Sequence, residues 1–532
     1  MTLLQTRTIL AALAVVVSIL LYRMTQWIFS TGRPVKFPPG PPTLPGVGNL
    51  HLLPRELPFL KYDAWAKEYG PLTGLKFGPT NVVVINDAEL IYELIIKQGA
   101  AYAGRPPRYI GQQKVIPEGQ HTYVLFLRND YSRRLRTVAK PFIMGPGLKR
   151  LRPMQKAAGT RLIYNLLHTT SSNWADQIVQ WGVTTPIAML TGTPVTEFGP
   201  DWVHEYHEML DLMEELVDPA KSPPVDIYPI LQWVPTMFAA WKRKAPIAAK
   251  AMNHAYDIMM HHAKKDHHSS FGPMISKLLE RSADPSTPAE ERFSEVDIKW
   301  MMGGILDAAV DSSVVTFQIL LLGLASNQDA QRKAQAEVDA VFGPGNTLPD
   351  TIDLDQLPYI NACVTEGLRW RPVSPLGLPR ETLADQDVLG YHIPKGTMVL
   401  LNQWTIQQDP NFYDEPYEYR PERYLHDPLG AKPGVSQVGR KALYTFGAGR
   451  RECPGTDFFF QNIRIAVSQI LWAFNIEGDG PLDTGVDTAF VSSVMLRPKP
   501  FKLKFVPRRA RIPETLLEEK GKADIAFNEI LS

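Results

Sequence analysis

Apolar and polar positions along this chain follow three patterns, and each predicts a different element. Near the amino terminus, Ile9 to Tyr22 is apolar except for Ser18, with Arg7 and Arg23 as flanks and Trp27, Ile28 and Phe29 beyond. Residues 8 to 29 together reach the roughly 20 residues needed to cross a bilayer. Arg23 can snorkel and Trp27 can sit at the interface. A cleaved leader is the rival reading, but no convincing small-x-small cleavage site precedes the basic residues. Arg23, Arg33 and Lys36 lie after the span, against Arg7 before it, which places the following body in the cytosol. The second pattern is a run of strand-like residues, Leu72 to Ile85 with Asn81-Val82-Val83-Val84-Ile85 at its end, and again Val388 to Leu401 with a turn at Pro394-Lys395-Gly396. The third pattern, helical periodicity, covers most of the remainder.

Pro34, Pro38, Pro39, Pro41, Pro42 and Pro45 separate the apolar span from the body. Proline lacks the donor for helix or central strand, so this segment reads as a semi-rigid spacer. The chain therefore divides into a membrane anchor (1–30), a proline-rich hinge (31–48), one catalytic body (49–507) and a polar tail (508–532). The body is mainly α with small β-sheets. The tail is expected to be mobile, with Ile525-Ala526-Phe527 as its one candidate for docking. The longest predicted helix opens at Ser294-Glu295-Val296-Asp297, a capping signal. It runs to about Leu324, some thirty residues or ~45 Å.

Composition removes several function classes. Net charge is +1, so nothing points to nucleic acid. The chain has two cysteines, Cys363 and Cys453, which excludes a disulfide framework. No Cys-x-x-Cys pair occurs, so a four-cysteine zinc site or an iron–sulfur cluster is not expected. His261, His262, His267 and His268 cluster in a polar segment without matching cysteine or carboxylate spacing, which reads as a solvated helix end rather than a metal site.

The chemistry concentrates around Cys453, in Phe446-Gly447-Ala448-Gly449-Arg450-Arg451-Glu452-Cys453-Pro454-Gly455. Glycines let such a loop turn tightly and approach a flat cofactor. Their N–H groups can tune a thiolate, and Arg451 can neutralise an acidic group. A lone cysteine beside a glycine turn is ordinarily structural, but other segments agree with the ligand reading. Glu366-Gly367-Leu368-Arg369 places an acid and a base on one helix face, and Pro421-Glu422-Arg423-Tyr424 follows about fifty residues later. In the middle of the long helix, Ala308-Ala309-Val310-Asp311-Ser312-Ser313 puts an acid and a hydroxyl into an apolar environment. That is costly unless the pair is used or satisfied.

Together these motifs resemble the cytochrome P450 family over about residues 35 to 507, in the expected order. The resemblance implies the P450 fold and haem b bound without covalent attachment. Its iron would be held by the Cys453 thiolate, with Phe446, Gly449 and Arg451 at the cofactor. It implies that Glu366, Arg369 and Arg423 form a buried structural triad. Asp311 and Ser312 would deliver protons, with Ser312 replacing the usual threonine. Ser132-Arg133-Arg134-Leu135-Arg136 is similar to the family's propionate-binding helix, with Ser132 in place of tryptophan. Arg133, Arg136 and Arg380 become propionate candidates. The activity implied is insertion of one oxygen atom of O2 into a lipophilic small molecule, in the style of fungal secondary metabolism.

The chain shows no flavin or nicotinamide domain. Electrons are therefore expected from a membrane-bound NADPH–P450 reductase, with cytochrome b5 as a second candidate donor, docking at Arg134, Arg440, Lys441 and Arg450. The implied location is the endoplasmic reticulum membrane, single-pass, body cytosolic. Substrate would border Ala101 to Arg128, Met302 to Leu306, Val373 to Leu378 and Ala489 to Ser493. Two alternatives are a haem-thiolate isomerase or dehydratase, which the Asp311-Ser312 pair disfavours, and a non-catalytic haem protein.

Overall fold

The computed structural model describes residues 13–19, 22–23, 25, 32–116, 123, 129–218, 221–265, 272–343, 348–349, 356–492 and 494–531. The long helices are α1 (Pro58–Tyr69), α2 (Asn129–Ile143), α3 (Gly145–His168), α4 (Trp174–Thr191), α5 (Trp202–Val217), α6 (Ala240–Ala263), α7 (Met274–Ala283), α8 (Glu295–Ser326), α9 (Gln328–Phe342), α10 (Pro358–Trp370), α11 (Thr456–Ala473) and α12 (Ile512–Leu531). Strands are short: β1 (Leu72–Phe77), β2 (Thr80–Ile85), β3 (Arg380–Glu381), β4 (Gln386–Val388), β5 (Tyr391–Ile393), β6 (Met398–Leu401), β7 (Phe474–Gly478), β8 (Phe490–Ser492), β9 (Leu496–Pro498) and β10 (Leu503–Pro507).

α8 is the axis of the fold. Ser294 accepts from the Asp297 N–H and Asp297 accepts from the Ser294 N–H, a reciprocal cap that fixes where the helix starts. Its residues are apolar on nearly every face because α4, α6, α10 and α11 all pack on it. By length and hydropathy α8 also passes as a membrane-crossing helix, but its most apolar window is 72% buried inside the protein. It is therefore the core helix.

The main sheet runs β1-β2-β6-β3, with β2 parallel to β6 and the other pairs antiparallel. A bridge between Gly104 and Glu381 then brings the chain around residue 105 against β3, beside Arg380. The proline-rich hinge lies on this sheet. Gly74 N–H donates to Pro39 O at 2.7 Å, and Asn49 joins Pro41 and Pro42 to Lys76.

One expectation changes. Residues 512–531 are not a mobile tail. α12 packs along α3 and buries Ile512, Leu516, Ala523, Phe527 and Leu531. Arg161 pairs with Asp524 and lies over the Phe527 ring, while Arg508 and Arg509 both pair with Asp339. Apolar residues on one helical face outweigh the charged composition. The expected anchor falls largely outside the described residues. Within it, residues 13–19 are helical and exposed.

Candidate functional site

The Cys453 loop is shaped by its own backbone. Cys453 N–H donates to Phe446 O at 2.8 Å, closing the turn, and Gly455 N–H points at the sulfur at 3.4 Å. Gly449 has φ +61°, and a Cβ there would meet Ile95 O at 2.1 Å. Only glycine permits this approach of the loop to the helix Ile91–Lys97. Phe446 packs against Phe459 and Phe460 of α11. Cys453 is exposed, while Cys363 is fully buried in α10. Although Cys453 is accessible, the groups packed around its sulfur push the thiol up. Gly455 N–H and the Arg136 charge act in the opposite direction, toward thiolate.

Arginines converge beside this loop. Arg380 donates to Ala448 O at 2.7 Å, Arg451 to Ala103 O at 2.9 Å, and Arg136 to Glu452 O. Arg105, which sequence reasoning missed, donates to Leu378 O and Pro379 O. Burial, followed by the charges of Arg451, Arg380, Arg108 and Arg136, brings the Arg105 guanidinium down to about 9. Every neighbouring charge that acts on it is another arginine. Arg380 falls to about 10, again mainly by burial, and its Nη1 is buried without a partner. A cluster of this kind fits a ligand bearing carboxylates: an accessible thiol, a glycine-backed loop, and mutually repelling arginines with one unsatisfied donor.

Arg133 does not join this cluster. Ser132, Leu135 and Ala139 form the buried face of α2, whereas Arg133, Thr137 and Lys140 form its exposed face. The helical turn that aims Arg136 at the loop aims Arg133 at solvent.

Glu366, Arg369 and Arg423 meet in the core. Arg369 binds Glu366 through Nε (2.7 Å) and Nη2 (2.8 Å), and Arg423 Nε lies 3.1 Å from both carboxylate oxygens. The remaining guanidinium donors go to carbonyls of Gln407, Asp414, Glu415, Pro416 and Glu418. This network ties α10 to the segment that leads into the cysteine loop.

On α8, Ser312 Oγ donates back to Ala308 O at 2.8 Å. Asp311 holds an unexpected partner. Arg497 of β9 lies 2.8 Å from both its oxygens and 2.6 Å from Glu214 of α5. Burial pushes Asp311 up, Arg497 pulls it down, and Glu214 pushes it up again; the net direction is upward. One turn earlier, Asp307 accepts from Tyr123 (2.8 Å), Tyr206 (2.8 Å) and Tyr256 (2.5 Å).

Of the residues expected at a partner surface, Arg134 covers Phe293, Arg440 stacks on Phe412 and pairs with Asp409, and Lys441 pairs with Glu452. Arg450 is exposed. Of the segments expected to border substrate, residues 117–122, 124–128 and 493 lie outside the described residues, as do His267 and His268. Among the described residues no group of three His, Cys, Asp or Glu side chains forms a metal site.

The family model for cytochrome P450 matches residues 38–505. A cytochrome P450 monooxygenase of Armillaria gallica is 32% identical over 514 residues, 94% of each chain. The cytochrome P450 monooxygenase grgG of a Penicillium species is 30% identical, covering 95% of this chain and 94% of its own. A zebra fish cytochrome P450 solved with progesterone superposes with a TM-score of 0.70 at 22% identity. The match covers 85% of this chain and 99% of that one, a likeness of fold.

Proposed function

The chain belongs to the cytochrome P450 family, whose members are haem-thiolate monooxygenases, and from that premise we propose that Cys453 is the residue ligating its haem iron. The Cys453 sulfur, with the Gly455 N–H directed at it, beside converging arginines of which Arg380 keeps an unpartnered Nη1, is the observation that carries this reading. When bound, the haem supplies the activation of O2. Arg105, Arg380, Arg451 and Arg136 would hold its propionates. Cys363 is unsuited to ligation because burial raises its thiol strongly.

Asp311 and Ser312 are the candidate proton carriers. Asp311 is paired with Arg497, its carboxyl raised mainly by burial, and the Ser312 hydroxyl donates to Ala308 O one turn back. The presence of both argues for the monooxygenase over the isomerase or dehydratase reading. Substrate is a lipophilic small molecule of fungal secondary metabolism, a reading supported by the fungal relatives.

Electrons would come from an NADPH-dependent reductase, with cytochrome b5 as a second donor, docking on the cysteine side. A surface cavity of about 530 Å3 opens there, lined in part by Lys441, Phe446, Glu452, Thr456 and Arg464. Anchoring in the endoplasmic reticulum membrane is supported by the apolar amino terminus. It is also supported by an exposed patch of Ile230 (76%), Trp233 (84%), Met237 (73%) and Phe238 (75%) between α5 and α6.

The carbon monoxide difference spectrum of the reduced protein, beside Cys453→Ala, tests the assignment. A Soret maximum at the thiolate position that is lost in the variant supports it. A band typical of histidine-ligated haem in folded Cys453→Ala and wild type alike overturns it.

A further inference from the structure

Aromatic side chains over the first half of α8 form a connected set around one carboxylate. Asp307 accepts from Tyr206 of α5 at 2.8 Å on one oxygen. Its other oxygen accepts from Tyr256 of α6 at 2.5 Å and from Tyr123 at 2.8 Å. All four residues are buried. A Cβ at Gly303 would lie 2.5 Å from the Tyr256 ring, so glycine there lets the ring lie on the helix. Trp300 meets Tyr256 edge-on at 5.3 Å, and Trp202 stacks on Tyr206 at 5.1 Å with the rings 11° from parallel. The set reaches the surface. Trp202 and Tyr206 line a groove of about 370 Å3 between α5 and α6, with exposed Glu205, Glu208 and Ile247 around it. Next to Asp307 on α8, Ala308 and Ser312 lie on the accessible side that carries the proposed proton pair, while Asp307 turns to the tyrosines.

Phenol and indole rings give up one electron more readily than the aliphatic side chains around them. A phenol that loses an electron becomes strongly acidic, so a base in hydrogen-bond contact assists the step. Asp307 is that base. Burial, the largest influence, raises its carboxyl to about 6, against the lowering effect of the hydroxyls and a raising effect of Asp311, so it is ionised at about pH 8. Burial, followed by the Asp307 charge, pushes the Tyr206 and Tyr256 phenols well above their ordinary value, so both stand as neutral proton donors. The Trp202 indole N–H is buried without an acceptor, which suits a carrier of electrons alone.

We propose that Tyr256, Tyr206 and Trp202 form a one-electron relay, with Asp307 as its proton acceptor, that carries a stray oxidising equivalent from the haem to the groove. The proposal rests on the reading of Cys453 as the haem ligand and α8 as the helix beside the haem. The oxidising equivalent is the one that the activation of O2 generates when no substrate consumes it. Tyr256 gives it one electron and gives its hydroxyl proton to Asp307, leaving a neutral phenoxyl radical. Tyr206 then reduces Tyr256, passing its own proton to Asp307 while Asp307 returns the first. Trp202 reduces Tyr206, which recovers its proton from Asp307. At the groove, a one-electron donor of the ascorbate class reduces Trp202. The oxidant gains one electron, the donor loses one, and the four side chains are restored. A buried carboxylate needs hydroxyl donors, but it does not need an indole stacked on one of them and reaching solvent.

The test uses full-length, haem-loaded protein without substrate, at about pH 8, where Asp307 is ionised. Hydrogen peroxide is added, samples are frozen at intervals for electron paramagnetic resonance, and haem bleaching is followed by absorbance, with and without ascorbate. Wild type should give a tyrosyl signal that ascorbate quenches. Trp202→Phe and Tyr206→Phe should each still form a signal, on Tyr256, but slow its quenching several-fold and bleach several-fold faster. Asp307→Asn should lower the signal several-fold; the two Phe variants carry the test if it does not fold. Quenching at the wild-type rate in both Phe variants overturns the proposal, as does an undiminished signal in folded Asp307→Asn. The carbon monoxide spectrum of the wild-type sample is read first. Absence of the thiolate band overturns the haem assignment and the relay with it. A thiolate band without a tyrosyl signal overturns the relay alone.

Discussion

Arg105 is half-buried and stands among other arginines beside the cysteine loop. If that cluster holds haem propionates, replacing Arg105 with Gln removes one charge-assisted contact worth roughly 1.5 kcal/mol, or about tenfold. Haem transfer from the Arg105→Gln protein to an apomyoglobin acceptor should be faster by that order, while the exposed Arg133→Gln leaves the rate unchanged. Asp311 makes a different case. Asp311→Asn should lower turnover by about 10²-fold with substrate affinity retained, the signature of a proton carrier. Arg497→Gln removes the positive charge that pulls Asp311 down, so the acidic limb of the turnover profile should move to higher pH. Neither Arg105 nor Arg497 was visible in the sequence. Arg497 and Asp311 are 186 residues apart, and nothing in Leu496-Arg497-Pro498 marks an ion pair until β9 is laid beside α8. Cys453, Glu366, Arg369 and Arg423 were visible because their partners lie within short, ordered motifs.

At the level of elements, α8 was legible from both ends: a reciprocal cap at Ser294 and thirty apolar-rich residues after it. α12 was not. Its apolar residues at 512, 516, 523, 527 and 531 lie on one helical face, but the interspersed Glu and Lys and the Arg508-Arg509 lead-in mask the stripe. As a docked element, α12 contributes to stability. Phe527 is fully buried beneath Arg161, and Phe527→Ala should cost about 3 kcal/mol and expose residues 512–531 to limited proteolysis before the body is cut. The ion pairs of α12 and its lead-in have a defined pH window. Burial opposes the charged forms of Asp339 and Asp524, but their basic partners (Arg508 and Arg509; Lys520 and Arg161) outweigh it, so both folded pKa values are depressed. The stabilisation is therefore present above the ordinary carboxylate value of about 3.9 and is lost as pH falls through the lower folded values. Proteolytic release of α12 should be flat from pH 8 to 5 and rise only below about 4.

Across the whole molecule, the motifs that specify chemistry come from the middle and end of the chain, while the surfaces that orient the body come from elsewhere. The exposed patch around Trp233 and Phe238 sits between α5 and α6, the two helices whose Tyr206 and Tyr256 donate to Asp307. Sequence reading passed over this patch because Ile230, Trp233, Met237 and Phe238 look like ordinary core residues; only their exposure sets them apart. A second membrane contact there would hold the body at two points. Deleting residues 1–30 should then leave salt-resistant binding to phosphatidylcholine vesicles in a flotation assay, since apolar contact is not screened by ions. Adding Trp233→Glu and Phe238→Glu to that truncated chain should abolish it, with the carbon monoxide spectrum unchanged. Loss of all binding on deletion of residues 1–30 alone would reduce the patch to a solvent-facing surface. Retention in the double variant would place the second contact elsewhere on the body.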